Sequence, residues 1–96
     1  MHVSAPEIQV TIPAALRPLC GGAAQLRLAA ESVGGLLAEL ARQHPQVYVR
    51  VCDERGEPRP HINVFVNDDH VRARAGLNTP LTTGDFVYIL PAVSGG

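Results

Sequence analysis

Polar and apolar residues alternate from Glu7 to Pro13 (EIQVTIP), which places Ile8, Val10 and Ile12 on one side of an extended chain and predicts a first strand. Leu16, Pro18 and a Gly21-Gly22 turn follow, and then Gln25 to Ala30 (QLRLAA) alternates again with Leu26 and Leu28 inward. Together these segments read as a β-hairpin. The period then changes. Val33, Leu36, Leu37 and Leu40 recur at i, i+3, i+4 and i+7, the apolar stripe of an amphipathic helix. Ser32 is placed to cap its N-terminus, because a serine hydroxyl can accept from an orphan N–H two or three residues on. Gly34 and Gly35 each cost the helix about 1 kcal/mol against alanine, which suggests that it lies close against a sheet. Pro45 is expected to end it.

Val47 to Cys52 fits either a short strand or a helical turn, and Asp53 to Pro60 (DERGEPRP) reads as an exposed loop. His61 to Asn67 (HINVFVN) is a strand with Ile62, Val64 and Val66 on one side. Asn67-Asp68-Asp69 turns the chain into a short return strand at His70 to Arg72. Thr83-Gly84-Asp85 turns it again into Phe86 to Leu90 (FVYIL), with Val87 and Ile89 facing the core and Pro91 as the stop. A hairpin, a crossing helix and later strands let the first and last strands lie side by side in parallel. The pattern therefore predicts an α+β fold of β-grasp (ubiquitin-like) type: a mixed four- or five-stranded sheet with one main helix packed across it. Residues 1–96 form a single domain on this reading, and 91–96 form a flexible C-terminal tail.

Composition narrows what such a domain can do. At 96 residues the chain holds one modest core and no deep catalytic pocket. Net charge is −1, from eight basic and nine acidic residues, without the basic excess that nucleic acid demands. All the basic residues are arginine. With no lysine there is no side-chain amine to accept an isopeptide bond, so any such link runs through the C-terminus. The first residues have neither the basic nor the apolar region of a signal peptide, and no apolar run approaches a membrane span. Cytoplasm is the expected location, with Cys20 and Cys52 as reduced thiols.

Catalytic motifs are missing: there is no GxSxG, HExxH, P-loop or paired CxxC, and His2, His44, His61 and His70 have no metal-ligand spacing. Cys20 has only Arg17 nearby to activate it. The expectation is a protein that is not itself an enzyme and binds no metal or cofactor.

What remains is the tail, Leu90-Pro91-Ala92-Val93-Ser94-Gly95-Gly96. Two final glycines arise by chance in roughly one chain in two hundred at average glycine usage, so the pair alone decides little. Following a proline-ended strand, it suits a definite task. Residues without a Cβ can thread a narrow site and pass close to a nucleotide. A carboxylate presented there can attack the α-phosphate of ATP and form an acyl-adenylate, and a sulfur nucleophile that displaces AMP leaves a thiocarboxylate. On the last strands Phe65, Phe86, Tyr88 and Leu90 point opposite to Val64, Val66, Val87 and Ile89. This outward apolar set is the candidate partner interface.

Val64-Phe65-Val66-Asn67-Asp68, Gly84-Asp85 and the closing Leu90 to Gly96 resemble the bacterial MoaD/ThiS ubiquitin-like sulfur carriers over nearly the whole chain. Thr11 to Pro18 with Gly21-Gly22 narrows the resemblance to the CysO branch, whose carriers supply sulfide for cysteine synthesis. The resemblance implies that Gly96 is the adenylation and thiocarboxylate site, with Val93, Ser94 and Gly95 threading into a partner's active site. It implies an E1-like (MoeB/ThiF-type) adenylating enzyme that uses ATP-Mg, and a sulfur donor protein. The acceptor would be a PLP-dependent cysteine synthase, or in sister branches the large subunit of molybdopterin synthase, or thiamin, tRNA or secondary-metabolite thiolation. A ubiquitin-like protein modifier needs the same tail, and neither nucleic acid nor membrane is implied.

Overall fold

A computed structural model describes residues 5–92. Strand β1 (Glu7–Thr11) pairs antiparallel with β2 (Gln25–Ala29), as the alternating pattern predicts. Between them the chain is not a simple turn but a 3₁₀ helix, Ala14–Cys20, closed by Gly21 in the left-handed region at φ 68°. Helix α1 (Val33–Gln43) then crosses one face of the sheet, and Ser32 Oγ accepts from Gly35 N–H at 3.0 Å as its cap.

Pro45 plays a second part. It closes off α1 and also opens α2 (Pro45–Val51), where a missing N–H costs nothing in the first turn. The ambiguous segment is therefore helical. Val47 and Val51, four residues apart, both bury against the core, while Val49 points to solvent.

Strand β3 (Ile62–Val66), the two-residue β4 (Asp69–His70) and β5 (Phe86–Pro91) complete a five-stranded sheet of order β2-β1-β5-β3-β4. β5 lies parallel to β1, with Val10 beside Val87, and antiparallel to β3, with Val64 opposite Ile89. This is the β-grasp arrangement. The return strand is shorter than the sequence suggests, because His70 turns the chain into a 3₁₀ helix, Val71–Ala73. Its Nδ1 accepts the Arg72 N–H at 3.0 Å, which caps that helix instead of extending the ladder.

Ile8, Val10, Leu28, Val64, Val66, Val87 and Ile89 from the sheet meet Val33, Leu36, Leu37 and Leu40 from α1 in a single core. Leu26, expected inward, is half-buried at its margin. The close approach behind the helical glycines is not to the sheet. A Cβ on Gly34 would stand 3.1 Å from the Leu77 carbonyl oxygen, in the 3₁₀ helix Gly76–Asn78. Gly34 thus admits a loop against the start of the helix.

The Asn67 and Asp85 motifs have a structural role. Asn67, at φ 54°, is a residue type that tolerates the left-handed region of the two-residue turn. Its Oδ1 accepts from Phe86 N–H at 3.0 Å, and its Nδ2 donates to Asp85 Oδ1 at 3.1 Å. Asp85 Oδ2 accepts from the Thr82 N–H at 2.9 Å and the Thr82 hydroxyl at 3.3 Å. The β3–β4 turn is thereby fastened to the start of β5. The Thr82 N–H, the Asn67 amide and the Thr82 hydroxyl, with Arg74 nearby, hold the Asp85 carboxyl below the usual carboxylate range against its partial burial. A depressed folded pKa contributes stability that is present above the unfolded value of about 3.9 and is lost as pH falls through the folded value. Asp85→Ala should cost about 1–3 kcal/mol at pH 7. Its melting temperature should approach that of the parent as pH drops below about 4. Melting curves from pH 7 to 2.5 check both, and a gap constant with pH would count against the ionised network.

Candidate functional site: the end of β5 and the outer sheet face

Because β5 sits in the middle of the sheet, its C-terminal end emerges between the end of β1 and the start of β3. The strand runs one residue further than expected. Pro91 stands opposite Ile62, and the Ala92 N–H donates to the His61 carbonyl at 2.7 Å. Proline is tolerated there because the pairing continues through the next N–H. Pro91, the first residue of the expected flexible tail 91–96, thus belongs to β5, and Ala92 is hydrogen-bonded beside it. The expected threading and reaction residues, Val93, Ser94, Gly95 and Gly96, lie outside the described residues.

The four residues expected on the outer face are all there, and strand pairing brings them together. Phe65 stands directly opposite Tyr88, Leu90 opposite Asn63, and Phe86 beside Gln9. Phe86 is 43% exposed and Leu90 39%, so apolar area faces solvent along β5 up to the strand's end. Phe65 and Tyr88 are half-buried. Towards β2 the same face turns polar: Arg27 pairs with Glu7 at 3.5 Å, and Gln9 donates to Gln25. The apolar half is thus confined to β5 and β3.

Two neighbours were not anticipated from sequence. His70 lies edge-on to Phe65, with ring centroids 5.1 Å apart, and its Nε2 is 3.0 Å from Asn63 Oδ1. Since Nδ1 accepts from Arg72, the proton sits on Nε2 and is donated to Asn63. Asn63 and His70 fix the edge of the apolar patch. Hairpin register would have placed His70 there, since one short turn puts it beside Phe65.

Cys52 is buried beside Asp53, and desolvation pushes its thiol up to about 11, which suppresses the thiolate. Cys20 is a free thiol whose Sγ lies 3.5 Å from the Arg17 carbonyl oxygen, while the Arg17 Nε donates to Ile12. Among the described residues no cluster of His, Cys, Asp and Glu could hold a metal ion, and no helix is long and apolar enough to cross a membrane.

The profile of the ThiS family matches residues 10–96, from β1 to the final glycine. The chain belongs to the ThiS family. It is 35% identical over 91 residues to the sulfur carrier protein CysO of Mycobacterium tuberculosis, covering 93% of this chain and 98% of that one. The crystal structure of the Amycolatopsis orientalis BexX/CysO complex contains a chain that superposes with a TM-score of 0.83 at 34% identity, over 93% of this chain and 99% of that one. Small archaeal modifier protein 1 of Methanosarcina acetivorans superposes with a TM-score of 0.79 at 33% identity, over 99% of this chain and all of that one (100%). These relatives thus include a sulfur carrier protein and a small archaeal modifier protein, and this chain shares their β-grasp fold.

Proposed function

We propose that this ThiS-family chain is a sulfur carrier whose C-terminal Gly96 carboxylate is converted to a thiocarboxylate, with cysteine biosynthesis as the sulfur's destination. The observation that carries the reading is a sequence that ends in two glycines four residues after a central strand, on a chain similar along 93% of its length to a CysO carrier. An E1-like adenylating enzyme would use ATP-Mg: the carboxylate attacks the α-phosphate, pyrophosphate leaves, and an acyl-adenylate forms. A sulfide sulfur then adds to the acyl carbon and AMP leaves, so the carrier ends in a thiocarboxylate. Gly95 gives clearance in the activating site, and Val93 and Ser94 lead the tail into it. The carrier supplies position, its partners supply catalysis, and a PLP-dependent synthase would take the sulfur. Incubation with ATP-Mg, sulfide and the adenylating enzyme of the same organism, followed by intact mass measurement, tests this. One oxygen replaced by sulfur is the expected result, and an unchanged mass overturns the reading.

Phe65, Phe86, Tyr88 and Leu90 form the partner-docking face in this reading, because they lead directly to the tail. Phe86→Asp should weaken binding of the adenylating enzyme at least tenfold, as loss of an apolar anchor does. Its melting temperature should change little, since Phe86 is 43% exposed. Titration calorimetry and a melting curve together check the pair of outcomes.

The likeness to a small archaeal modifier supports a second reading, in which the activated tail is joined to lysines of other proteins. Covalent ladders on target proteins in an ATP-supplied extract would favour it.

A further inference from the structure

A second surface surrounds the end of β5, on the side of the 3₁₀ helix and α2. It is an open groove of about 450 Å³ with Pro13, Ala15 and Leu16 along one side and Pro91 along another. Its lining includes two basic side chains, Arg50 and His61, and no acidic one. Both are exposed, and neither takes part in an ion pair among the described residues, where the pairs are Arg27–Glu7, Arg42–Glu39 and Arg55–Asp53. Arg17 and Arg59 stand close by in sequence, their Nε atoms bonded to the Ile12 and Val49 carbonyls at 3.0 Å. Glu57 faces a different cavity, beside His70 and Arg72. At the other end of the sheet the sign reverses: Glu7 begins β1, Asp68 follows β3 and Asp85 precedes β5. A chain of net charge −1 therefore places an arginine and a histidine, with no acidic residue in the same lining, at the end of the sheet where β5 finishes.

Position makes that end unavoidable for a partner. Gly96 is five residues beyond Pro91. Five extended residues span at most about 17 Å. Any enzyme that encloses the Gly96 carboxylate must bring the mouth of its active site within that distance of the groove. A mouth lined with basic groups would meet Arg50 and His61 at a cost, whereas carboxylates would be drawn to them and orient the encounter.

We infer that this groove is a docking surface for an acidic partner segment, a carboxylate-flanked apolar projection at the mouth of the enzyme that activates Gly96. The inference rests on the carrier reading for the identity of that enzyme. The apolar floor accepts the projection, and Arg50 and His61 fix its register. This contact is separate from the outer aromatic face, so the partner holds the end of β5 from both sides.

The test is binding, measured apart from turnover. Titrate the adenylating enzyme with the parent chain, with the double variant Arg50→Glu/His61→Glu, with the neutral Arg50→Ala/His61→Gln, and with Arg42→Glu on α1 as a charge control away from both faces. The double reversal should raise Kd at least about tenfold and the neutral pair by less, and the parent's Kd should rise with salt. Arg42→Glu should leave Kd unchanged. A Kd for the double reversal equal to the parent's, an equal effect of Arg42→Glu, or no binding of the parent at all overturns the inference. The intact mass is read on the same samples. If the parent binds with this charge dependence but never gains sulfur, the carrier reading fails and the docking surface stands.

Discussion

Deletion of Gly96 should abolish the proposed sulfur loading and leave the melting temperature within about 1 °C of the parent, as surface changes that touch no packed group do. The two halves of this outcome come from different parts of the molecule. Among the described residues every strand pair and every core residue lies at or before Pro91, and the last backbone bond is that of Ala92 to His61. Nothing in the described core or sheet depends on Gly96. The proposed chemistry would depend on it entirely, because the reacting carboxylate of the truncated chain would belong to Gly95, one residue short of the activating centre. A shift of one residue is about 3.3 Å, far beyond the tolerance of an attack that needs its atoms about 3–3.5 Å apart and aligned. Intact mass after incubation with ATP-Mg, sulfide and the adenylating enzyme reads the first half, and calorimetry reads the second. Loading of the truncated chain at the parent's rate would remove Gly96 from its assigned role.

Such a division between scaffold and tail explains which features were legible in the sequence. Strands with a clean period of two, such as Glu7 to Thr11 and Ile62 to Val66, declare both their existence and their inward face, because one side of each is wholly buried. The stripe from Val33 to Leu40 declares α1 in the same way. Val47 to Cys52 was ambiguous because valines four apart fit one face of a helical turn, while the β-branched run Val47, Val49 and Val51 fits a strand. Packing on α1 decides it. The outer aromatic set was readable because the inward set was. The basic groove was not, because Pro13 to Leu16, Arg50 and His61 come from three distant segments that only the fold brings together. Likewise, Asn67 and Asp85 stand in the sequence only as part of the family motif, and their geometry shows that they tie a turn to a strand.

Leu40→Ala should destabilise the fold by about 2–5 kcal/mol, the cost of a fully buried leucine removed from a packed interior. Leu40 closes the stripe of α1 with no accessible surface and packs in the same core as Val47 and Val51 of α2. Its loss opens a cavity between two helices and the sheet, and neither helix can collapse into it without leaving the strands. Since the whole domain holds about 5–15 kcal/mol, this is a large share of its stability. At about 4–8 °C per kcal/mol for a domain of this size, the melting temperature should fall by at least about 8 °C. The loading reaction should respond differently. Below its lowered melting temperature the variant keeps its Phe86 and Leu90 surface, its basic groove and its tail, so kcat/KM with the adenylating enzyme should match the parent's. Above it, loading should fail with the loss of near-UV circular dichroism, since an unfolded chain carries the same glycines without the strand end that presents them. If the unfolded variant were loaded as efficiently as the folded protein, the tail alone would be the substrate, and the fold would serve some other purpose.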